Sequence, residues 1–132
     1  MRVLVTGGAG YIGSHTCVEL LEADHEVCVI DNLCNGHEAA LERVRGITNR
    51  NLQFMNADIR EKGALDKAFN TFKPEAVIHF AGLKAVAESV ADPMKYYDVN
   101  VCGSISLLAA MSKVGCKNIV FSSSATVYGK PQ

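Results

Sequence analysis

The chain has no excess of either charge sign, its formal net charge being −1 at pH 7. That leaves no electrostatic basis for binding nucleic acid or an anionic membrane. No apolar stretch approaches the length of a membrane span, and the first apolar run breaks at Gly7, too early for a signal peptide. The five cysteines, Cys17, Cys28, Cys34, Cys102 and Cys116, are odd in number and contain no C-x-x-C spacing. Such a set fits reduced thiols in the cytoplasm rather than a disulfide framework or a zinc site. Cys17 and Cys28 read as small core hydrophobes. No cluster of His, Cys and carboxylates suggests a metal centre. Repeats, low-complexity tracts and Pro/Gly-rich linkers are also missing. What is present is one domain's worth of chain, 132 residues with 48% hydrophobic and 20% charged content, ordinary for a soluble globular protein.

The richest stretch is Val3 to Gly13, Val-Leu-Val-Thr-Gly-Gly-Ala-Gly-Tyr-Ile-Gly. A short β-branched run stops at a glycine cluster, and a helical pattern starts directly behind it. That strand, turn and helix order is the context in which a glycine-rich motif marks a dinucleotide site. Gly8, Gly10 and Gly13 fit G-x-G-x-x-G, and Gly7, Gly10 and Gly13 fit the G-x-x-G-x-x-G variant. The first glycine allows the turn, the second lets the backbone approach a pyrophosphate, and the third lets helix and strand pack closely. The anion would sit on the helix N-terminus. Asp31 closes the next apolar run, Val27 to Ile30. A carboxylate there can hydrogen-bond an adenosine ribose and would repel a 2′-phosphate, which favours NAD over NADP.

Apolar runs alternate with helical patterns along the whole chain. Strands are expected over 2–6, 26–31, 52–56, 76–81 and 118–124, and helices over 11–23, 37–45, 61–72 and 93–115. The strands are continuous rather than alternating, as when both faces of a sheet are covered. The fold class is therefore α/β, a Rossmann-type doubly wound parallel sheet with strand order 3-2-1-4-5. Ligand is expected at the carboxyl ends of those strands. Gln132 follows the fifth strand by only a few residues. Residues 1–132 are thus expected to be a partial Rossmann domain, truncated after strand five, with an exposed strand edge and only marginal stability.

Three further segments are informative: His79-Phe80-Ala81-Gly82-Leu83-Lys84-Ala85-Val86, Tyr96-Tyr97-Asp98-Val99-Asn100-Val101-Cys102-Gly103, and Phe121-Ser122-Ser123-Ser124-Ala125-Thr126-Val127-Tyr128-Gly129. With Thr6 to Gly13 and Asp31-Asn32-Leu33-Cys34-Asn35, they resemble the UDP-glucose 4-epimerase family of extended short-chain dehydrogenases/reductases. The resemblance runs end to end. It implies cofactor contacts from Gly7, Gly10, Tyr11, Ile12 and Gly13, from Asp31, Asn32 and Asn35, and from Phe80, Ala81 and Gly82. It also implies contacts from Asn100 and Ser122, with Asp58 and Ile59 at the adenine and Lys84 at the ribose or phosphates. Asp58 reads equally as a helix N-cap. His79, inside an apolar strand, reads as a satisfied core histidine. The family carries adjacent asparagines where this chain has Val99-Asn100.

By the same resemblance Ser124 is the candidate catalytic residue, working in the family beside a Tyr-x-x-x-Lys pair. The four tyrosines here, Tyr11, Tyr96, Tyr97 and Tyr128, have no lysine four positions on. The implied reaction is NAD-dependent C4 epimerisation of UDP-glucose and UDP-galactose through a 4-keto intermediate in galactose metabolism. It would belong to a longer parent carrying the catalytic helix and sugar-nucleotide domain, and this chain alone is expected to be inactive. A bare NAD-binding module or a non-functional fragment is the alternative. A nucleotide-sugar 4,6-dehydratase is disfavoured, because Ala125 and Thr126 stand where those enzymes place an Asp-Glu pair. Along the fourth helix, Val101, Ile105, Leu108 and Met111 recur at helical spacing, as a core face or as a homodimer face.

Overall fold

The computed structural model describes residues 1–124 together with Val127 and Gly129. Ala125, Thr126 and Tyr128, which bear on the dehydratase reading and the tyrosine search, lie outside the described residues. Five strands form one all-parallel sheet in the order β3-β2-β1-β4-β5. They are β1 (Arg2–Thr6), β2 (Glu26–Asp31), β3 (Gln53–Asn56), β4 (Ala76–His79) and β5 (Asn118–Phe121). The helices α1 (Tyr11–Glu22), α2 (Glu38–Thr48) and α3 (Lys62–Phe72) make the first crossovers. Between β4 and β5 run α4 (Val86–Ala91), α5 (Pro93–Tyr96), a π-helical stretch (Tyr97–Cys102) and α6 (Gly103–Val114). This is the expected fold class and strand order.

The period-two geometry of β1 explains the two cores. Val3 and Val5 point to one face and join Val27, Val29, Cys17, Leu21 and Leu41, under α1 and α2. Leu4 points to the other and joins Cys28, Ile30, Leu65, Phe69 and Leu107, under α3 and α6. With both faces covered, each buried aliphatic side chain contributes about 1.5–3 kcal/mol. Cys17 and Cys28 are core members as expected, and burial pushes their thiols up to about 12 and about 11.

Several elements differ from expectation. α2 continues to Thr48, past Gly46, and ends where Asn49 turns left-handed at φ 49°. β4 ends at His79 and β5 at Phe121, so Phe80, Ala81 and Ser122 to Ser124 lie beyond the strands. α4 arises in a segment with no expected helix. The single helix over 93–115 is instead α5, a π-helical stretch and α6, right-handed throughout and closed by Gly115 at φ 71°.

The core-face reading of that helix is corrected. Met111 is buried, but Val101, Ile105 and Leu108 are exposed, Ile105 at 60%. The face turned to the core is Gly103, Leu107, Ala110 and Met111. Gly103 is there because a Cβ would stand 2.6 Å from Ile59 Cδ1. On the sheet's edge the apolar side chains of β5 are exposed, Phe121 at 59%.

Candidate functional site

The carboxyl ends of β1, β2, β3 and β4 surround a cleft of ≈ 230 Å³. It lies where the strand order reverses, between β1 leading out to β2 and β1 leading out to β4, the position at which open α/β sheets bind ligands.

The glycine loop forms its floor. Gly7 takes φ +72°, and a Cβ on it would stand 2.6 Å from Ala81 N, so β1 and β4 meet here at backbone distance. Gly10 N–H donates to Gly7 O at 3.2 Å and closes the turn. A Cβ on Gly13 would stand 2.3 Å from Gly7 O, so α1 can dock on the loop only with glycine there. The working trio is therefore Gly7, Gly10 and Gly13, while Gly8 packs on the Val29 side chain. α1 starts at N-cap Gly10 with no side-chain cap and no acidic residue in its first turn. Its N-terminus thus presents backbone N–H groups and the positive dipole end to an anion. Gly7, Gly10 and Tyr11 line the cleft. Ile12 and Gly13 do not; Gly13 shapes the cleft through packing.

Asp31 forms the next wall and is 9% exposed. Its Oδ2 accepts from Ala9 N–H at 3.0 Å and its Oδ1 from Leu33 N–H at 2.9 Å. One carboxylate thereby ties the glycine loop to the turn after β2. Each oxygen keeps a second lone pair for a ligand hydroxyl. Asn32 and Asn35 line the cleft beside it. Gly36, which went unnoticed in the sequence, approaches Ala9 so closely that a Cβ would stand 2.9 Å from Ala9 C.

Asp58 and Ile59 close the side under β3. Asp58 does not cap a helix, since Glu61 holds the N-cap of α3. Its carboxylate accepts from Arg60 N–H and Nε on Oδ1, and from Arg60 Nη2 and Asn32 Nδ2 on Oδ2. The Arg60 guanidinium holds this carboxyl far below the usual carboxylate range, and Asp58 and Asp98 together raise the Arg60 group. Arg60 Nη1 donates to Asp98 in the π-helical stretch, so one fork joins the β3 loop to that segment. Arg60 was missed in the sequence, although its place two residues after Asp58 was a usable signal.

The last wall follows β4. Phe80, Ala81, Gly82 and Leu83 line the cleft, faced by Val99. Asn100 does not line it but holds Leu83 by both backbone groups: Leu83 N–H donates to Oδ1 at 2.8 Å, and Nδ2 donates to Leu83 O at 3.0 Å. Lys84 and Ser122 are also outside the lining. The Lys84 ammonium lies over Gly82, where a Cβ would stand 3.2 Å from it. Ser122 N–H donates to His79 O at 3.1 Å, and Ser124 O accepts from Val127 N–H. The catalytic candidate Ser124 is thus not brought into the cleft wall. His79 is a satisfied core histidine, as expected. No group of His, Cys, Asp and Glu among the described residues could hold a metal ion. Among them, too, no helix is long and apolar enough to cross a membrane.

Known proteins resemble this chain in sequence and in fold. The chain is 59% identical, over its full length, to the UDP-glucose 4-epimerase of Bacillus subtilis, of which it covers 39%. It is 54% identical over 98% of its length to the UDP-glucose 4-epimerase of Klebsiella pneumoniae, covering 93% of that sequence. In structure it matches UDP-glucose 4-epimerase from Bifidobacterium longum in complex with NAD+ and UDP, with TM-score 0.96 and 48% identity over 100% of this chain and 39% of that one. The chain thus spans about two fifths of the length of the Bacillus and Bifidobacterium proteins. Residues 3–132 match the model of the NAD dependent epimerase/dehydratase family, and with its glycine loop and strand-end cleft this chain belongs to that family.

Proposed function

We propose that this chain is the NAD-binding part of a UDP-glucose 4-epimerase. The observation that carries the reading is the cleft, where the Gly7–Gly13 loop, the uncapped N-terminus of α1 and the Asp31 carboxylate converge. These residues fit a dinucleotide. Glycine at positions 7 and 13 lets β1, β4 and α1 close to backbone distance around the loop, backbone N–H groups suit a pyrophosphate, and Asp31 has lone pairs for a ribose diol. An uncompensated carboxylate there disfavours a 2′-phosphate.

In this reading Gly7, Gly10, Tyr11, Ile12 and Gly13 hold the pyrophosphate half, while Asp31, Asn32 and Asn35 hold the adenosine ribose. Asp58 and Ile59 face the adenine. The four lone-pair sites of Asp58 are all engaged, so an adenine amino group gains it by displacing Asn32, the neutral donor. Phe80, Ala81, Gly82, Lys84, Asn100 and Ser122 order the nicotinamide side. When bound, NAD+ supplies a two-electron hydride acceptor for C4 of the hexose. In the longer protein the sugar then passes through a 4-keto intermediate, and return of the hydride to its other face gives the epimer with no net redox change. Ser124 would hold or relay the proton of the C4 hydroxyl. A Tyr-x-x-x-Lys base, absent from these 132 residues, and a sugar-nucleotide domain would complete the site. The exposed Val101, Ile105 and Leu108 side chains support a homodimer face along the π-helical stretch and α6.

The test is calorimetric titration of NAD+ and NADP+ into the purified chain, with Asp31→Ala beside it. Saturable binding of NAD+, weaker binding of NADP+ and loss in the variant are expected, with no turnover of UDP-galactose. Absence of NAD+ binding by the wild-type chain overturns the reading of the chain as a cofactor module.

A further inference from the structure

Thr6, His79 and Ser104 come from β1, β4 and α6, and their polar atoms form one chain through the core. Thr6 Oγ1 lies 2.6 Å from His79 Nδ1, and His79 Nε2 lies 2.9 Å from Ser104 Oγ. Thr6 is fully buried and His79 is 2% exposed. The direction of every bond follows from the two ends. Ser104 Oγ lies 2.6 Å from Asn100 O, which can only accept, so the Ser104 proton points there. Ser104 Oγ must then accept from His79 Nε2–H. Nδ1 is left as the acceptor of the ring, and it takes the Thr6 hydroxyl proton. Thr6 Oγ1 in turn accepts from Ala81 N–H at 3.3 Å. One arrangement satisfies all partners: a neutral imidazole with its proton on Nε2. Burial, with the Lys84 charge adding to it, pushes the ring down to about 4 and keeps it neutral.

Both ends of this chain land on the cleft. Ala81 lines it directly. Asn100, whose carbonyl takes the Ser104 proton, grips Leu83 by N–H and C=O, and Leu83 lines the same wall. We infer that His79 is a positioning residue: as the Nε2–H tautomer it registers Ala81 against the Asn100–Leu83 clamp and so sets the β4 wall of the cleft. A histidine serving only to fill space, through its ring contact with Phe121 at 5.5 Å, would leave that wall unchanged when its hydrogen bonds are removed. The geometry stands by itself; its consequence for cofactor rests on the NAD reading above.

The experiment uses the whole chain. Nitrogen-15 correlation spectra of the wild-type imidazole at pH 7 are expected to show the proton on Nε2. Ser104→Ala is expected to raise Leu83 amide exchange, measured without cofactor, about fivefold, the size of one lost hydrogen bond. It is expected to weaken NAD+ binding by a similar factor, and Ser104→Thr, which keeps the hydroxyl, should restore both. Thr48→Ala removes a bond of the same kind in α2, from Thr48 Oγ1 to Val44 O, and should move neither readout. A ring protonated on Nδ1, an unchanged Leu83 exchange rate, or faster exchange with an unchanged NAD+ dissociation constant overturns the inference. If the wild-type chain fails to bind NAD+, the cofactor reading falls, while the tautomer and the exchange rate still decide the role of His79.

Discussion

Replacing Gly7 with alanine tests the tightest contact on which the cleft depends. At φ +72° an L-residue is strained, which costs about 1–2 kcal/mol. The new Cβ would also stand 2.6 Å from Ala81 N and 2.9 Å from Ala81 Cα and Phe80 C. These are backbone atoms held in place by the pairing of Thr6 with His79, so no side chain can swing aside. Separating β1 from β4 to make room is an overpacking event costing about 1–3 kcal/mol. The sum is about 2–5 kcal/mol, against a total stability of order 5–15 kcal/mol for a domain. At roughly 3–5 °C per kcal/mol for a domain of this size, the melting temperature should fall by 6 °C or more.

Gly46→Ala supplies the opposite sign. Gly46 lies inside α2 with nothing within 4 Å of a new Cβ, so alanine should stabilise the helix by about 0.5–1 kcal/mol. Thermal melts followed by circular dichroism compare the three chains. A Gly7→Ala melting temperature within about 2 °C of wild type would refute the reasoning. It would mean that the contact between β1 and β4 can open at little cost.

Three further outcomes follow from the same structure. Arg60 depresses the Asp58 carboxyl, so its contribution to stability is present above the unfolded pKa near about 4 and disappears as pH falls through the folded value. Arg60→Ala should therefore melt lower than wild type at pH 7, by a gap that narrows as pH is lowered below about 4; a gap constant with pH would contradict this. Cys34 and Cys102 are exposed while Cys17, Cys28 and Cys116 are buried, so a thiol reagent should modify two sites fast, and NAD+ should slow Cys34, which lines the cleft. Uniform labelling of all five would argue against the burial pattern. Ile105→Asp with Leu108→Asp should lower any concentration-dependent association seen by sedimentation, and a wild-type chain that sediments as a monomer at every concentration would remove the case for a dimer face.

The glycine loop and Asp31 could be read from the sequence because their constraints are local. A strand that ends at Thr6 and a helix that starts at Tyr11 leave only the four residues from Gly7 to Gly10 for the turn, and the carboxylate at the end of β2 falls beside it through parallel pairing. The alternating cores were legible for the same reason, since Val3, Leu4 and Val5 must part to opposite faces. The π-helical stretch was not. Its residues carry an ordinary helical pattern, and what accompanies the wider turn is tertiary: Asp98 bonded to Arg60, Asn100 bonded to Leu83. Asp58 was open equally to a cap reading, which fails because α3 starts only at Lys62 behind N-cap Glu61, while Arg60, two residues on, takes the Asp58 oxygens. The face of α6 was misjudged because that helix is apolar on two sides, Leu107 and Met111 inward, Ile105 and Leu108 outward. Periodicity alone cannot rank two apolar stripes on one helix; only the close approach of Gly103 to Ile59 decides which one meets the sheet. The parts of the cleft that escaped the sequence are thus those built by pairing between loops at different strand ends. These are also the parts, Arg60 and the His79 chain, that hold the cleft walls in register.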